Sequence, residues 1–155
     1  MPHTLRSNVA ITRIAARKAE SLGDAPIFTQ LDVQFDPSWN AKMTYCTETP
    51  GNPPPTLRIA REAARWAVEN RIDELWISAA LPHLWRCERD LRAAIREVGA
   101  ESTVRICEEI RTVGDEEYWY MPDSTQPRVR FSKEWLKRER ILLMMPYFLY
   151  KRVAS

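Results

Sequence analysis

Glycine is scarce in this chain, which has four glycines in 155 residues: Gly23, Gly51, Gly99 and Gly114. Neither the G-x-G-x-x-G turn of dinucleotide-binding proteins nor the P-loop of nucleoside triphosphatases can be assembled from glycines at these positions. Their absence argues strongly against a standard dinucleotide-dependent oxidoreductase and against a P-loop enzyme.

Cysteine and histidine are also few. The three cysteines, Cys46, Cys87 and Cys107, show no C-x-x-C spacing, and their odd number does not suit a disulfide framework. Only His3 and His83 could add imidazole ligands, and they lie far apart in the chain, so we expect no metal site. Three free thiols fit a reducing compartment, and we expect a cytoplasmic protein in which each cysteine is a small buried apolar residue.

Neither an excess of one charge nor a long hydrophobic run is present. The 23 basic and 21 acidic side chains leave a net charge of +2, so we expect no nucleic-acid partner. The N-terminus lacks the apolar core of a signal peptide. The longest apolar stretch, residues 141–150, is too short to span a bilayer, and we predict a core helix there and no transmembrane segment.

Basic residues flank that apolar stretch, so contact with a membrane interface is an alternative to burial in the core. It would require an exposed apolar face on the C-terminal helix. The flanking residues are Arg138, Arg140, Lys151 and Arg152.

The hydrophobic content of 45% and charged content of 28% are typical of a globular protein, and the length suits a single α/β domain over 1–155. Hydrophobic periodicity predicts four helices and three strands, which alternate as in parallel βαβ units. A fourth strand could lie near 9–14 or 129–131. The predicted strands are 26–35, 73–79 and 103–107. The predicted helices are 7–22, 56–70, one that ends near 98, and 132–150, the last of which Pro146 is expected to kink or split. The segments 36–55 and 108–130 are predicted to be irregular.

The sharpest functional signal lies where the apolar run 75–80 ends and a helix begins. His83 and Arg86 are three residues apart in the first helical turn, where free backbone N–H groups and the helix dipole favour anions. We predict that Arg86 binds a phosphate, carboxylate or nucleotide-like anion and that His83 donates a hydrogen bond or carries a proton. The alternative, more usual for two such residues alone, is that His83 caps the turn and Arg86 pairs with Glu88 or Asp90.

Three further residues are predicted to border the same crevice at the carboxyl edge of the sheet. Ser78 follows the central strand; it has no G-x-S-x-G elbow and is interpreted as a small polar lining residue, not a nucleophile. Glu48 is a candidate acid or acceptor for a ribose hydroxyl. Thr56 is a candidate ligand contact and a credible N-cap of the next helix. The simpler alternative is an exposed loop, containing Pro50 and Gly51, that ends in a capping threonine.

The aromatic residues are interpreted mainly as core. The run 118–120 is predicted to fix the irregular segment to the core rather than to stack on a base, and Trp66 and Trp76 are predicted to be buried. Trp85 could belong to either the core or the site. The charged run 137–140 is predicted to be a solvated helix face.

In their order along the chain, these motifs resemble the YdcF/SanA/ElyC-like domain family. Glu48 and Thr56 stand where that family has an acidic residue and a T-x-E-N-A signature. His83 and Arg86 match its T-S-x-x-H-x-x-R motif after the next strand. Glu139 corresponds to the glutamate of its C-terminal helix.

The resemblance implies a small Rossmann-like three-layer α/β/α sandwich with a mostly parallel sheet. It also implies a small nucleotide-like or anionic ligand, with S-adenosylmethionine as a candidate cofactor, and transferase or hydrolase chemistry rather than redox chemistry. Arg58 and Ile59 replace the family's Glu-Asn pair, and its glycine-rich turns are missing. The alternative function is therefore a degenerate, non-catalytic interaction or structural module of the same fold.

Overall fold

A computed structural model describes residues 3–38, 42–49 and 52–154. Pro50 and Gly51 of the predicted loop, and the extreme ends of the predicted domain, lie outside these ranges. The helices and strands are α1 (His3–Ser21), β1 (Ile27–Thr29), β2 (Met43–Tyr45), α2 (Thr56–Glu69), β3 (Glu74–Ile77), α3 (Leu84–Glu97), β4 (Thr103–Ile106), α4 (Ser132–Met144) and α5 (Tyr147–Ala154).

The strands form two parallel pairs, and the chain is therefore an α/β protein. Strand β1 pairs with β2, and β3 pairs with β4 across the intervening helix α3. This β3–α3–β4 segment is the predicted parallel βαβ unit. Within the described ranges the two pairs are separate two-stranded sheets, with no hydrogen-bonded ladder joining them.

The first strand is much shorter than predicted. The 26–35 alternation predicts a long strand, but β1 ends at Thr29 because the chain then turns, with the Val33 amide bonded to the Gln30 carbonyl. Its partner β2 lies inside the predicted loop, and three residues are too few to show a periodicity. The suggested fourth strands are wrong: residues 9–14 belong to α1, and Val129 closes a short 3-10 turn.

The helix boundaries follow the residues that start and stop helices. Gly23 and Gly99, with φ of +77° and +67°, follow α1 and α3 as predicted, since glycine adopts this left-handed conformation without strain. Pro146 divides the predicted 132–150 helix into α4 and α5. Between β4 and α4 the chain forms only short 3-10 turns, as the prediction of an irregular segment requires.

The core has three clusters. In the first, α2 and α3 pack on one side of the β3–β4 pair around Leu75 and Val104. In the second, α1 and the irregular segment pack against the other side, and Trp119 and Tyr120 are buried there, which confirms that these rings fix the segment to the core. The third cluster lies where α4 and α5 meet α2; it contains Leu57, Leu142, Tyr150 and Ala154.

Candidate functional site

Arg86, in the first turn of α3, joins three helices. Its side chain donates from Nε and Nη2 to the two carboxylate oxygens of Glu139 in α4, at 3.0 and 2.9 Å. Its Nη1 donates to Oγ1 of Thr56, the first residue of α2, at 2.7 Å. These three residues are called the Arg86 centre below. The forked guanidinium matches the carboxylate, so the pair is bidentate.

The Arg86 centre is buried. Arg86 and Glu139 are only 6% and 3% exposed. Burial alone lowers the pKa of Arg86, but the hydrogen bonds and the negative charge of Glu139 outweigh it and raise that pKa above its ordinary value. Arg86 is therefore a cation whose charge is matched by the protein itself.

The partners of Arg86 differ from both sequence interpretations. Glu88 pairs with Arg92 on the surface, and Asp90 bonds to other residues, so neither neutralises Arg86. Glu139 does so instead, and the prediction of a solvated face over 137–140 is wrong at this position. The reason is tertiary: packing of α4 against the start of α3 buries Glu139, while Lys137 and Arg140 remain exposed and Arg138 is partly buried.

His83 is half-buried, and its ring stacks on Trp135 with centroids 5.6 Å apart. Burial, followed by the positive charges of Arg86 and Arg138, lowers its pKa to about 3. The imidazole is therefore neutral near pH 7, where a base of such low pKa is poorly suited to carry a proton. Its side chain does not cap α3, contrary to the structural alternative.

Ser78 and Glu48 are engaged away from the Arg86 centre. The Ser78 hydroxyl donates to the Ile11 carbonyl at 2.8 Å, which ties the end of β3 to α1. One carboxylate oxygen of Glu48 accepts from the Leu31 amide at 2.6 Å, and the other lies 3.3 Å from the Cys46 sulfur. Both contacts hold segments of the fold together.

Thr56 lies at the predicted helix start but does not cap it. The N-cap is Pro55, which has no side-chain donor or acceptor, and the Thr56 hydroxyl bonds to Arg86 instead. Of the five predicted site residues, the structure therefore brings Thr56 and Arg86 into contact, with His83 one helical turn before Arg86.

A second polar cluster, which was not predicted from the sequence, connects α3 to α5. Asp90 is fully buried and accepts a hydrogen bond from the Tyr150 hydroxyl and, at 3.3 Å, one from Arg89. The Arg89 guanidinium also lies 3.9 Å from the centroid of the Tyr150 ring. Burial raises the pKa of Asp90 above its usual value, and these partners offset part of that rise. The signal in the sequence was the spacing of Arg86 and Asp90, four residues apart on an otherwise apolar helix side.

The three thiols are poorly suited to nucleophilic chemistry. Burial is the main cause that raises the pKa values of Cys46 and Cys87 to about 12 and that of Cys107 to about 11. Because the thiolate is the reactive form, each thiol is nearly unreactive at neutral pH while the protein is folded.

One open pocket of about 430 Å³ lies at the carboxyl end of β3 and β4, on the side of α1. Lys18 lies over the Trp76 ring at 4.2 Å and 3.9 Å from a carboxylate oxygen of Glu109. The wall thus carries both charges, and none of the five predicted site residues lines it. Its lining residues are Lys18, Trp76, Ile106, Glu108, Glu109 and Thr112.

Two further properties concern ions and membranes. In the part of the chain that the structure describes, no three His, Cys, Asp or Glu side chains come together so as to hold a metal ion. Across the same residues, no helix combines the length and the apolar character needed to cross a bilayer.

Comparison with known proteins identifies no relative: no family model, no curated protein and no solved structure matches the chain.

Proposed function

We propose that this chain is a non-catalytic α/β interaction module in which the Arg86 centre is a structural element. The observation that carries the proposal is the bidentate ion pair between Arg86 and Glu139, closed by Thr56. An incoming anion would have to displace the Glu139 carboxylate and leave it buried without its partner. Separating a buried ion pair in this way costs several kcal/mol, about 3–5.

The departures from the family pattern support the same proposal. Arg58, where the resemblance expects a glutamate, donates to the Thr47 carbonyl at 2.9 Å and lies 3.4 Å from Glu62. Glu62 in turn accepts from the Thr47 amide at 2.7 Å. These contacts hold the loop before α2 against that helix, so the arginine that replaces the family's glutamate has a structural contact here.

The surface supports an interaction function in a different way. The outer side of α4 and α5 exposes a group of large apolar side chains, among them Met144 and Phe148, at 84% and 64% exposure. Several large exposed apolar side chains on two consecutive helices favour a site of association with a partner.

We also propose that the two strand pairs belong to a single Rossmann-like three-layer sandwich, with β1 beside β3. Helix α1 packs against both strands, and Phe28 of β1 belongs to the same cluster as Leu75 of β3. The helices on both sides of β3 and β4 support this arrangement.

A small anionic ligand at the Arg86 centre is the second candidate function. The observation that favours it is that Thr56, Arg86 and Glu139, which the family resemblance selects from three distant segments, meet at one point. In this alternative the ion pair opens, and Arg86 binds a phosphate or the carboxylate of a ligand such as S-adenosylmethionine.

Isothermal titration of the full chain with inorganic phosphate, with S-adenosylmethionine and with a sugar phosphate separates the two functions. The structural module predicts no saturable binding of any of the three. The ligand site predicts saturable binding that weakens in Thr56→Val, which removes one contact but keeps the ion pair. Arg92→Gln, on the exposed side of α3, is the matched control. Binding that Thr56→Val abolishes and Arg92→Gln preserves would overturn the proposal.

A further inference from the structure

The outer side of α4 and α5 carries an unusual concentration of exposed apolar side chains. Elsewhere in the described residues such side chains are scattered singly, as is normal on a protein surface. We call the concentrated group the α4–α5 face, and it consists of Ile141, Leu143, Met144, Phe148, Leu149 and Val153.

The packing of the two helices explains why these side chains point outward together. Leu142, Tyr150 and Ala154 bury the inner sides of α4 and α5 in one cluster with Leu57. Each helix buries one side in that cluster, and the exposed apolar side chains lie on its other sides. The helical spacing agrees: Ile141 and Met144 are three apart in α4, and Leu149 and Val153 are four apart in α5.

Helix α5 is also held in a fixed orientation. The Tyr150 hydroxyl bonds to the buried Asp90, and the Arg89 guanidinium lies on the Tyr150 ring. With Tyr150 turned inward, Phe148 and Val153 are necessarily on the exposed sides of α5, where they are 64% and 67% exposed. The apolar surface is therefore displayed before any partner arrives.

Exposed basic side chains accompany the apolar ones on α4 and α5. From Arg140 to the end of the printed sequence there are three basic residues and no acidic one. Arg140 and Arg152 are exposed, and Arg152 lies four residues after Phe148, on the same side of α5. Glu139 is buried and neutralised by Arg86, and Asp90 is buried beneath Tyr150. Glu97 of α3 interacts with Lys151, on the side of α5 that faces α3.

We propose that the α4–α5 face docks on the interfacial region of an anionic lipid bilayer. This inference rests on the proposed interaction function and names its partner. Phenylalanine, methionine and leucine side chains enter the boundary between head groups and acyl chains, while long arginine side chains reach the lipid phosphates. Each basic residue near an anionic surface adds to the attraction.

The same charge disfavours a second copy of the chain as the partner. A symmetric dimer through this face would place Arg140 and Arg152 of one copy against the same basic surface of the other. Like charges brought together across an interface oppose association. An anionic surface matches both properties of the face, its exposed apolar side chains and the exposed arginines among them.

Flotation of the full chain with lipid vesicles tests the inference. We expect binding to phosphatidylcholine vesicles that contain about a third phosphatidylglycerol, and much weaker binding to phosphatidylcholine alone. The double variant Met144→Glu/Phe148→Glu should reduce partitioning by about tenfold or more, because it introduces acids into the inserted surface. Leu22→Glu/Val68→Glu, two residues about half exposed on other surfaces, is the matched control and should bind as the unmodified chain does.

A second variant tests the electrostatic part. Arg140→Gln/Arg152→Gln should weaken binding to the anionic vesicles and reduce its dependence on salt, since fewer charges are then screened. Thermal unfolding of every variant checks that the fold is retained.

Three results would overturn the inference: no binding to anionic vesicles, binding that Met144→Glu/Phe148→Glu leaves unchanged, or a dimer in light scattering that this variant abolishes. The last result would assign the face to a second copy of the chain. Failure here is distinguishable from failure of the proposed function. Ligand titration tests the Arg86 centre without lipid, and flotation tests the face without any ligand of Arg86.

Discussion

Arg86 connects three helices through one guanidinium group, and the consequences can be measured residue by residue. Its donors reach Glu139 in α4 and Thr56 in α2, and the ion pair is shielded from water. A charge pair in this setting stabilises the fold only as long as both partners are present, because a buried charge that loses its partner is costly.

Removing the charge of Glu139 should therefore destabilise the protein strongly. We expect Glu139→Gln to lower the free energy of unfolding by about 3–5 kcal/mol, since Arg86 is left as a buried, uncompensated cation. Urea unfolding followed by circular dichroism measures the loss. The control is Glu88→Gln, which breaks the surface pair with Arg92 and should cost less than about 1 kcal/mol. Equal losses in the two variants would contradict a buried structural pair.

The neutral His83 predicts a loss of stability in mild acid. Its pKa is lowered to about 3 in the folded protein, so between that value and about 6.5 only the unfolded chain takes up the proton. The contribution is fully present above pH of about 6.5 and is lost as the pH falls through this window. Between pH 7 and pH 5 the unmodified chain should lose about 2 kcal/mol more than His83→Gln.

Denaturant unfolding at the two pH values measures this difference. At each pH the free energy of unfolding of the unmodified chain is compared with that of His83→Gln. Asp90 and the other acids titrate in both proteins, so their contribution cancels in the difference. A parallel decline in both proteins would show that His83 becomes protonated in the folded state.

At the scale of elements, the C-terminal helices depend on polar contacts that lie beneath an apolar exterior. Helix α5 meets α3 through Tyr150 and Asp90, and its neighbour Tyr147 stacks on Tyr150 with ring centroids 6.0 Å apart. The two tyrosines are equal in size but differ in their hydroxyls. The Tyr147 hydroxyl is buried and has no hydrogen-bond partner among the described residues.

This difference provides a matched pair of substitutions. We expect Tyr150→Phe to cost about 1–3 kcal/mol, because buried Asp90 loses a donor, and Tyr147→Phe to cost almost nothing. Hydrogen exchange followed by mass spectrometry should show faster exchange over 147–154 in Tyr150→Phe alone. Equal exchange in both variants would mean that the hydroxyl of Tyr150 does not hold α5 in place.

At the scale of the whole molecule, the three thiols, two buried and one partly buried, report on global unfolding. The pKa values of Cys46 and Cys87 are raised to about 12 and that of Cys107 to about 11, so few thiolates exist in the folded chain at neutral pH. We expect alkylation by iodoacetamide to be slow for all three and to accelerate together across the urea transition. Rapid labelling of one cysteine before unfolding would reveal local opening there.

The helices could be predicted from the sequence because apolar residues recur with the helical period of 3.6 over several turns. The prediction for α2, 56–70, differs from its observed end by one residue, and the glycines after α1 and α3 mark their ends. The three-residue strands β1 and β2 could not be predicted in this way. A period of two needs more residues than they contain, and their pairing depends on contacts between distant segments.

Of the candidate site, the sequence predicted that Thr56 and Arg86 lie close together, but not that Ser78 and Glu48 are engaged elsewhere. The spacing of His83 and Arg86 at a helix start indicates where polar groups gather at the edge of β3. That Arg86 is already paired depends on Glu139, 53 residues away, and on the way α4 packs on α3. Glu139 lies in a run of charged residues, and such a run is ordinarily solvated. Nothing in the neighbouring sequence distinguishes Glu139, which is buried, from the charged residues beside it.

The most direct test of the account is nuclear magnetic resonance of the Arg86 side chain. With ¹⁵N-labelled protein, the Arg86 Nε–H signal is followed during titration with inorganic phosphate and with S-adenosylmethionine. A closed, structural Arg86 centre predicts a signal that exchanges slowly with solvent and does not move with either compound, and that changes in Glu139→Gln. A saturable shift of that signal on addition of either compound would contradict the account and assign Arg86 to ligand binding.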